Sequence, residues 1–133
     1  MQKEIDKLAW LLAVDGKLLV ARSHNKSLYY LPGGKRELGE SDQQALSREI
    51  NEELSVNLVS DSIDYAGTFH AVADGQCDSV TVKLTCYFAE FEGELKASAE
   101  IAEIKWLAYQ DKALCSDGAI QVFEWLKQQQ KIV

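Results

Sequence analysis

The sequence predicts an α+β fold in which helices cover a mixed β-sheet, and three observations predict it. Apolar and other residues alternate from Val80 to Ala89, the period of a strand with one buried face. A capping-box pattern, Ser41 with Gln44, opens a helix that runs to about Leu54. Ser116-Asp117 caps a second helix in which Ala119, Val122, Phe123 and Leu126 recur at helical spacing. Strands, helix, strands, helix is the order of an α+β chain. A length of 133 residues suits one domain, residues 1–133, that buries about 68% of its unfolded surface without staples.

The remaining elements follow in order. Residues 8–14, the pair Asp15-Gly16 and residues 17–21 read as a β-hairpin, because Asp-Gly between apolar runs favours a two-residue turn. Residues 23–26 form a polar loop, and 28–31 a short strand that delivers the chain to a Pro32-Gly33-Gly34 turn. After the first helix, residues 56–59 and 65–73 are candidate strands separated by Ser60-Asp61-Ser62, and residues 73–76 make a turn. Glu92-Gly93 ends the alternating strand; residues 95–103 are irregular and 104–107 form a short strand. No internal repeat or low-complexity tract interrupts this order.

Chemistry concentrates in residues 34–56. Glu49, Glu52 and Glu53 stand at i, i+3 and i+4, so their carboxylates share one helix face, while Leu46, Ile50 and Leu54 form an adjoining apolar stripe. Like charges at that spacing each cost about 0.2–0.5 kcal/mol, a cost that a hard divalent cation would remove. On spacing alone the ordinary reading is a solvated acidic face. The lead-in changes that reading.

Gly34, five residues, Glu40, seven residues, Arg48-Glu49-Ile50, then Glu52-Glu53, Ser55 and Val56 resemble the Nudix box, G-x5-E-x7-R-E-U-x-E-E-x-G-U with U aliphatic. Eight of its nine specified positions match; Ser55 stands where the family has glycine. A non-glycine in the αL conformation there costs about 1 kcal/mol, unless serine ends the helix differently or Asn57 takes the αL role.

The resemblance implies the Nudix fold, an α/β/α sandwich around a mixed sheet with helices on both faces, over nearly the whole chain. It implies metal ligands at Glu49, Glu52 and Glu53, at Glu40 directly or through water, and at the carbonyl of Gly33. A further acidic ligand from outside the box is expected before Trp106, Glu100 in preference to Glu103. Glu49 or Glu53 is the expected base, and Arg48 orients the box carboxylates, with Glu37 as its nearby partner. The implied cofactor is Mg²⁺, with Mn²⁺ as substitute.

Substrate residues are inferred less directly. Arg22, Lys35 and Arg36 are candidates for phosphate contacts. Tyr29 stands where many relatives carry tryptophan and is either a base-stacking ring or a half-buried strand aromatic. Phe69 and His70 are candidate pocket walls. The asparagine that reads an oxidised guanine in one branch has no plain counterpart near residues 114–119, where Asp117 is nearest.

Composition bounds the partners. Fourteen basic against twenty-one acidic residues leave a net charge of −7, which disfavours a nucleic-acid backbone or an anionic membrane as the main partner. The apolar N-terminal stretch is broken by Asp15 and Lys17, too short to span a bilayer and without a small-residue cleavage site, so a cytoplasmic protein is expected. Cys77, Cys86 and Cys115 have no metal-ligand spacing and read as reduced structural thiols. The expected activity is Mg²⁺-dependent hydrolysis of a nucleoside diphosphate derivative, foremost a nucleoside triphosphate to monophosphate and pyrophosphate, by a monomer or homodimer. Alternatives are ADP-ribose, a nucleotide sugar or a dinucleoside polyphosphate as substrate, or a nucleotide-binding domain without catalysis.

Overall fold

In the computed structural model, which describes residues 3–73 and 80–133, two helices sandwich paired sheets. The strands are β1 (Lys3–Leu11), β2 (Ala13–Val14), β3 (Lys17–Ser23), β4 (Gly33–Lys35), β5 (Asn57–Leu58), β6 (Asp64–Val72), β7 (Val80–Phe88), β8 (Phe91–Glu92) and β9 (Ile101–Leu107). The helices are α1 (Asp42–Leu54) and α2 (Asp117–Gln128). One sheet has the order β4-β1-β7-β6, a second β2-β3-β9, and β5 pairs with β8. β1 runs parallel to β7 and the other pairs are antiparallel, so the expected mixed sheet is present.

Period-2 alternation in β1 and β3 builds two cores. Ala9, Leu11, Leu18 and Val20 pack with Val122, Phe123 and Leu126 of α2. Leu8, Trp10 and Leu19, pointing the other way, pack with Leu46, Ile50 and Leu54 of α1. Trp10 is fully buried and its indole nitrogen donates to the carbonyl of Ala89 at 3.0 Å, so its one polar atom is satisfied. Both helices start where their caps predict: Ser41 and Gln44 form the complete capping box, and the Ser116 hydroxyl accepts from Ala119 N.

Several boundaries differ from expectation. Residues 28–31 make only isolated bridges, Tyr29 with Cys115 and Tyr30 with Ala21, and the Pro-Gly-Gly segment is itself an edge strand. Gly33 (φ +140°) lies against β1, where an added Cβ would sit 2.1 Å from the Leu8 carbonyl oxygen, so only glycine allows this approach. β1 reaches back to Lys3 because β7 extends a parallel ladder along its whole length, a long-range pairing that hydropathy does not reveal. The hairpin turns at Asp15 (φ 53°) and Gly16 (φ 80°) as read, but its first strand breaks after Leu11. β9 starts at Ile101, three residues earlier than expected, on its pairing with Ser23. A 3₁₀ helix, Tyr109–Leu114, precedes α2 and had no clear signal.

Ser55 adopts the αL conformation itself (φ 61°, ψ 26°), so Asn57 is not needed for that role. Cys86 and Cys115 are free and buried, and burial pushes both thiols up to about 12. Cys77 and the turn expected at residues 74–76 lie outside the described residues. Among those residues no helix is long and apolar enough to cross a membrane.

Ile50 is fully buried between α1 and the sheets. Ile50→Ala is expected to cost about 2–5 kcal/mol through lost burial and the cavity left behind. A urea titration showing a loss below about 1 kcal/mol would contradict the tight packing of this face.

Candidate metal and phosphate site

Three separate chain segments bring carboxylates together. α1 supplies Glu49 and Glu53 from the edge of its apolar stripe. Glu53 is only 6% exposed, and its Oε1 accepts from Gly33 N at 3.1 Å, which joins the helix to the edge of β4. Glu49 lies against Gly34, where a Cβ would stand 2.0 Å from Oε2. The third segment is the loop between β8 and β9. It is strapped to the end of α1: Lys96 N donates to Leu54 O at 3.0 Å and Ser98 N to Glu53 O at 2.8 Å, satisfying carbonyls that the helix terminus leaves open. Ser55 Oγ and Ser98 Oγ share a 2.8 Å hydrogen bond beside them. Two residues on, Glu100 acts electrostatically on both Glu49 and Glu53 and hydrogen-bonds to Glu53.

The crowding shows in the acidities. Burial, followed by the charges of Glu49 and Glu100, pushes Glu53 up to about 8, against the opposing hydrogen bond from Gly33. Burial also raises Glu49, with Arg48 opposing and Glu52 and Glu100 adding to the rise. Ionising the whole cluster is therefore unfavourable unless a positive charge accompanies it. Its donors are all hard carboxylate oxygens, which fits Mg²⁺ or Mn²⁺.

Arg48 organises the outer side of the cluster. Its Nε and Nη2 donate to the two oxygens of Glu40 at 2.7 and 2.9 Å, and Nη2 also donates to Lys35 O at 3.1 Å. Glu49, Glu52 and Glu37 lie at 3.4, 3.5 and 3.7 Å from Nη1, so Glu37, the expected partner, is the most distant. Glu40 also accepts from Glu37 N at 2.8 Å, and with Arg48 leading, its carboxyl is held down at about 2. The expected ligands thus divide in two. Glu49, Glu53 and Glu100 border one cavity with Gly33, whereas Glu40 and the exposed Glu52 lie with Arg48, which also reaches Glu49. Among the described residues no three acidic, His or Cys side chains form a ready coordination shell.

A cavity of about 380 Å³ opens beside the carboxylates, bounded by Glu49, Glu53 and Glu100, by Lys7, Lys26 and Lys35, and by apolar residues from β1, β6, β7 and α2. The substrate candidates are distributed differently from expectation. Lys35 lines the cavity. Arg22 does not: its Nε donates to Glu103 at 3.0 Å. Arg36 is paired with Asp6 at 3.2 Å and Asp42 at 2.5 Å. Tyr29 is a buried core aromatic whose hydroxyl donates to Glu103 at 2.7 Å, leaving Tyr30 as the cavity's aromatic residue. Glu103 is thereby committed away from the carboxylate cluster. Phe69 packs edge-on to Trp125 of α2, and exposed His70 lies 3.5 Å from Glu4. Asp117 accepts from Val72 N at 3.1 Å, tying α2 to β6.

Lys7 was not anticipated. It shares a β1 face with Lys3, Ile5, Ala9 and Leu11, and a lysine between apolar neighbours on a strand face is a signal visible in the alternation. Burial first, then Lys35, lowers its pKa.

The model of the NUDIX domain matches residues 7–128. The chain belongs to the Nudix family. The relative from Bacillus subtilis (strain 168) named as the uncharacterized Nudix hydrolase YvcI is 24% identical over 96 residues; the match covers 72% of this chain and 61% of that protein. The solution structure of the E. coli ORF135 protein is 25% identical with a TM-score of 0.76, over 97% of this chain and 92% of that one. The crystal structure of the MutT protein from Methanosarcina mazei Go1 has a TM-score of 0.76 at 21% identity, over 98% and 97% of the two chains. Other similar folds include an ADP-ribose pyrophosphatase fused to an adenylyltransferase and a UDP-X diphosphatase, so this Nudix fold leaves the substrate open.

Removing the guanidinium tests the grip on Glu40. In Arg48→Met the Glu40 carboxyl is expected to climb from about 2 towards its ordinary value near 4.3. An NMR titration in which Glu40 stays at its low value would show that Arg48 does not hold it.

Proposed function

We propose that this Nudix protein is a pyrophosphohydrolase dependent on Mg²⁺, or Mn²⁺ in its place, that cleaves a nucleoside triphosphate to monophosphate and pyrophosphate. One observation carries the reading: a single cavity is lined by three carboxylates, Glu49, Glu53 and Glu100, and three lysines, Lys7, Lys26 and Lys35. Its volume of about 380 Å³ suits a small molecule. That combination of charges fits a polyanion that approaches carboxylates through a cation.

Glu53, Glu49 and Glu100 would hold the cation, with the Gly33 carbonyl and the exposed Glu52 as further donors. Bound there, the cation would neutralise diphosphate charge and make a coordinated water acidic. Glu53 is fixed by the Gly33 amide and serves as the stationary ligand. Glu49 borders the cavity with a raised pKa and takes the proton of the attacking water. Arg48 orients Glu49 and, through Glu40, the loop ahead of the helix. The lysines offset the charge of the phosphate oxygens in the bound substrate.

Glu53→Gln is expected to lower metal-dependent turnover by about 10²–10⁴-fold while the protein remains folded. Undiminished turnover would sink the proposal. The same substitution has a pH signature without turnover. A carboxyl whose folded pKa is raised, here to about 8, favours the folded state below its unfolded value, and that contribution is lost as pH rises through the folded pKa. Metal-free wild type should therefore lose stability relative to Glu53→Gln between about pH 4.5 and pH 8, and Mg²⁺ should suppress the loss. Parallel melting curves for the two proteins with and without Mg²⁺ would argue against a cation at Glu53.

A further inference from the structure

Every arginine of this chain is occupied by a carboxylate: Arg22 by Glu103, Arg36 by Asp6 and Asp42, and Arg48 by Glu40. The lysines of the cavity are not. Among the described residues Lys7, Lys26 and Lys35 make no ion pair, although the protein carries a net charge of −7. Lys7 and Lys35 are directly opposite each other across the β1–β4 ladder, a like-charge arrangement that destabilises a sheet when nothing lies between the charges.

Lys7 is the most constrained of the three. Ala9 and Leu11, next on its face of β1, are each 1% exposed in the α2 core, so the lysine stem enters from the core side of the strand. Its ammonium lies over the Tyr30 ring, 5.6 Å from the centroid, which aims it along the cavity wall. The charges that act on it are Lys35 and Lys26, of its own sign, and Glu53 and Glu49, which border the same cavity. A half-buried lysine without a carboxylate partner, facing a second lysine, is costly in isolation and favourable around an anion.

We propose that Lys7, with Lys26 and Lys35, forms a cradle for a phosphate chain ending in a free phosphomonoester, so that nucleoside triphosphates are selected over substrates whose diphosphate is blocked at both ends. This rests on the pyrophosphohydrolase reading of the same cavity and adds what distinguishes its substrates. A terminal phosphate monoester carries about −1.5 to −2 charge and three acceptor oxygens at pH 7. A diphosphate esterified on both sides, as in ADP-ribose, offers only a single charge on each phosphorus. Three lysines lining one cavity are matched to the former.

The test compares wild type with Lys7→Met, which keeps the stem's volume, and Lys7→Arg, which keeps the charge. With Mg²⁺ present, KM for a deoxynucleoside triphosphate is expected to rise about tenfold in Lys7→Met with kcat little changed, KM for ADP-ribose to stay within about twofold, and Lys7→Arg to recover most of the loss. Equal losses on both substrates, or no loss on the triphosphate, would overturn the cradle. Calorimetric binding of inorganic tripolyphosphate without metal reads the lysines apart from turnover. Weaker binding by Lys7→Met supports the cradle even if wild type hydrolyses no triphosphate, which would defeat only the hydrolase reading. Unchanged binding overturns the cradle even if hydrolysis is efficient.

Discussion

The burial of one carboxyl group, Glu53, is the constraint around which this chain is arranged. Glu53 is 6% exposed and has one backbone amide, Gly33 N, to compensate it. That amide is available because β4 runs so close to β1 that only glycine fits at position 33. Gly34 clears the space in which Glu49 lies. The two glycines therefore do more than turn the chain: one supplies a donor and the other a seat, each to a different carboxylate. The apolar stripe of α1 makes this workable, since Leu46, Ile50 and Leu54 fix the rotation of the helix and hence where Glu49 and Glu53 emerge.

Charge is sorted by side-chain type. Guanidinium groups pair chiefly with carboxylates outside the cavity, where their planar donor arrays suit paired oxygens, as between Arg48 and Glu40, although Arg48 also reaches Glu49. Ammonium groups line the cavity itself. Arg36 illustrates the sorting: with Asp42, which also accepts from Tyr87, it pins the start of α1 to β7 and β1 and takes no part in the cavity. The outcome is an acidic protein whose cationic cavity wall remains available to an anion.

Both helices, their caps, the Asp-Gly turn and strand β7 were legible in the sequence because each is specified by residues close together in the chain. The segments that close the site were not. β4 reads as a turn because its pairing with β1 joins Gly33 to Ala9, a contact that local glycine chemistry cannot disclose. Tyr29, Arg22 and Glu103 each look eligible for the site, yet they satisfy one another across the β3–β9 ladder and its neighbouring bridge. Phe69 was misplaced for a similar reason: alternation fixes which residues share a strand face, but only packing shows that its face meets Trp125. Glu100 was favoured over Glu103 because it lies further back in the loop before Trp106, while the backbone bonds that bring it to the cluster involve Lys96 and Ser98, which carry no sequence signature of that task.

Ser55 gains meaning from those same bonds. In the αL conformation a glycine would end the helix with less strain but could offer nothing further. The serine hydroxyl instead meets Ser98 in the segment that hangs from the last carbonyls of α1 and carries Glu100. Fraying of the final helical turn would thus release the loop and withdraw a carboxylate from the site in one event. The integrity of the helix terminus and the capacity to bind charge become a single cooperative unit, so the departure from glycine links local unfolding to the number of oxygen donors at the centre.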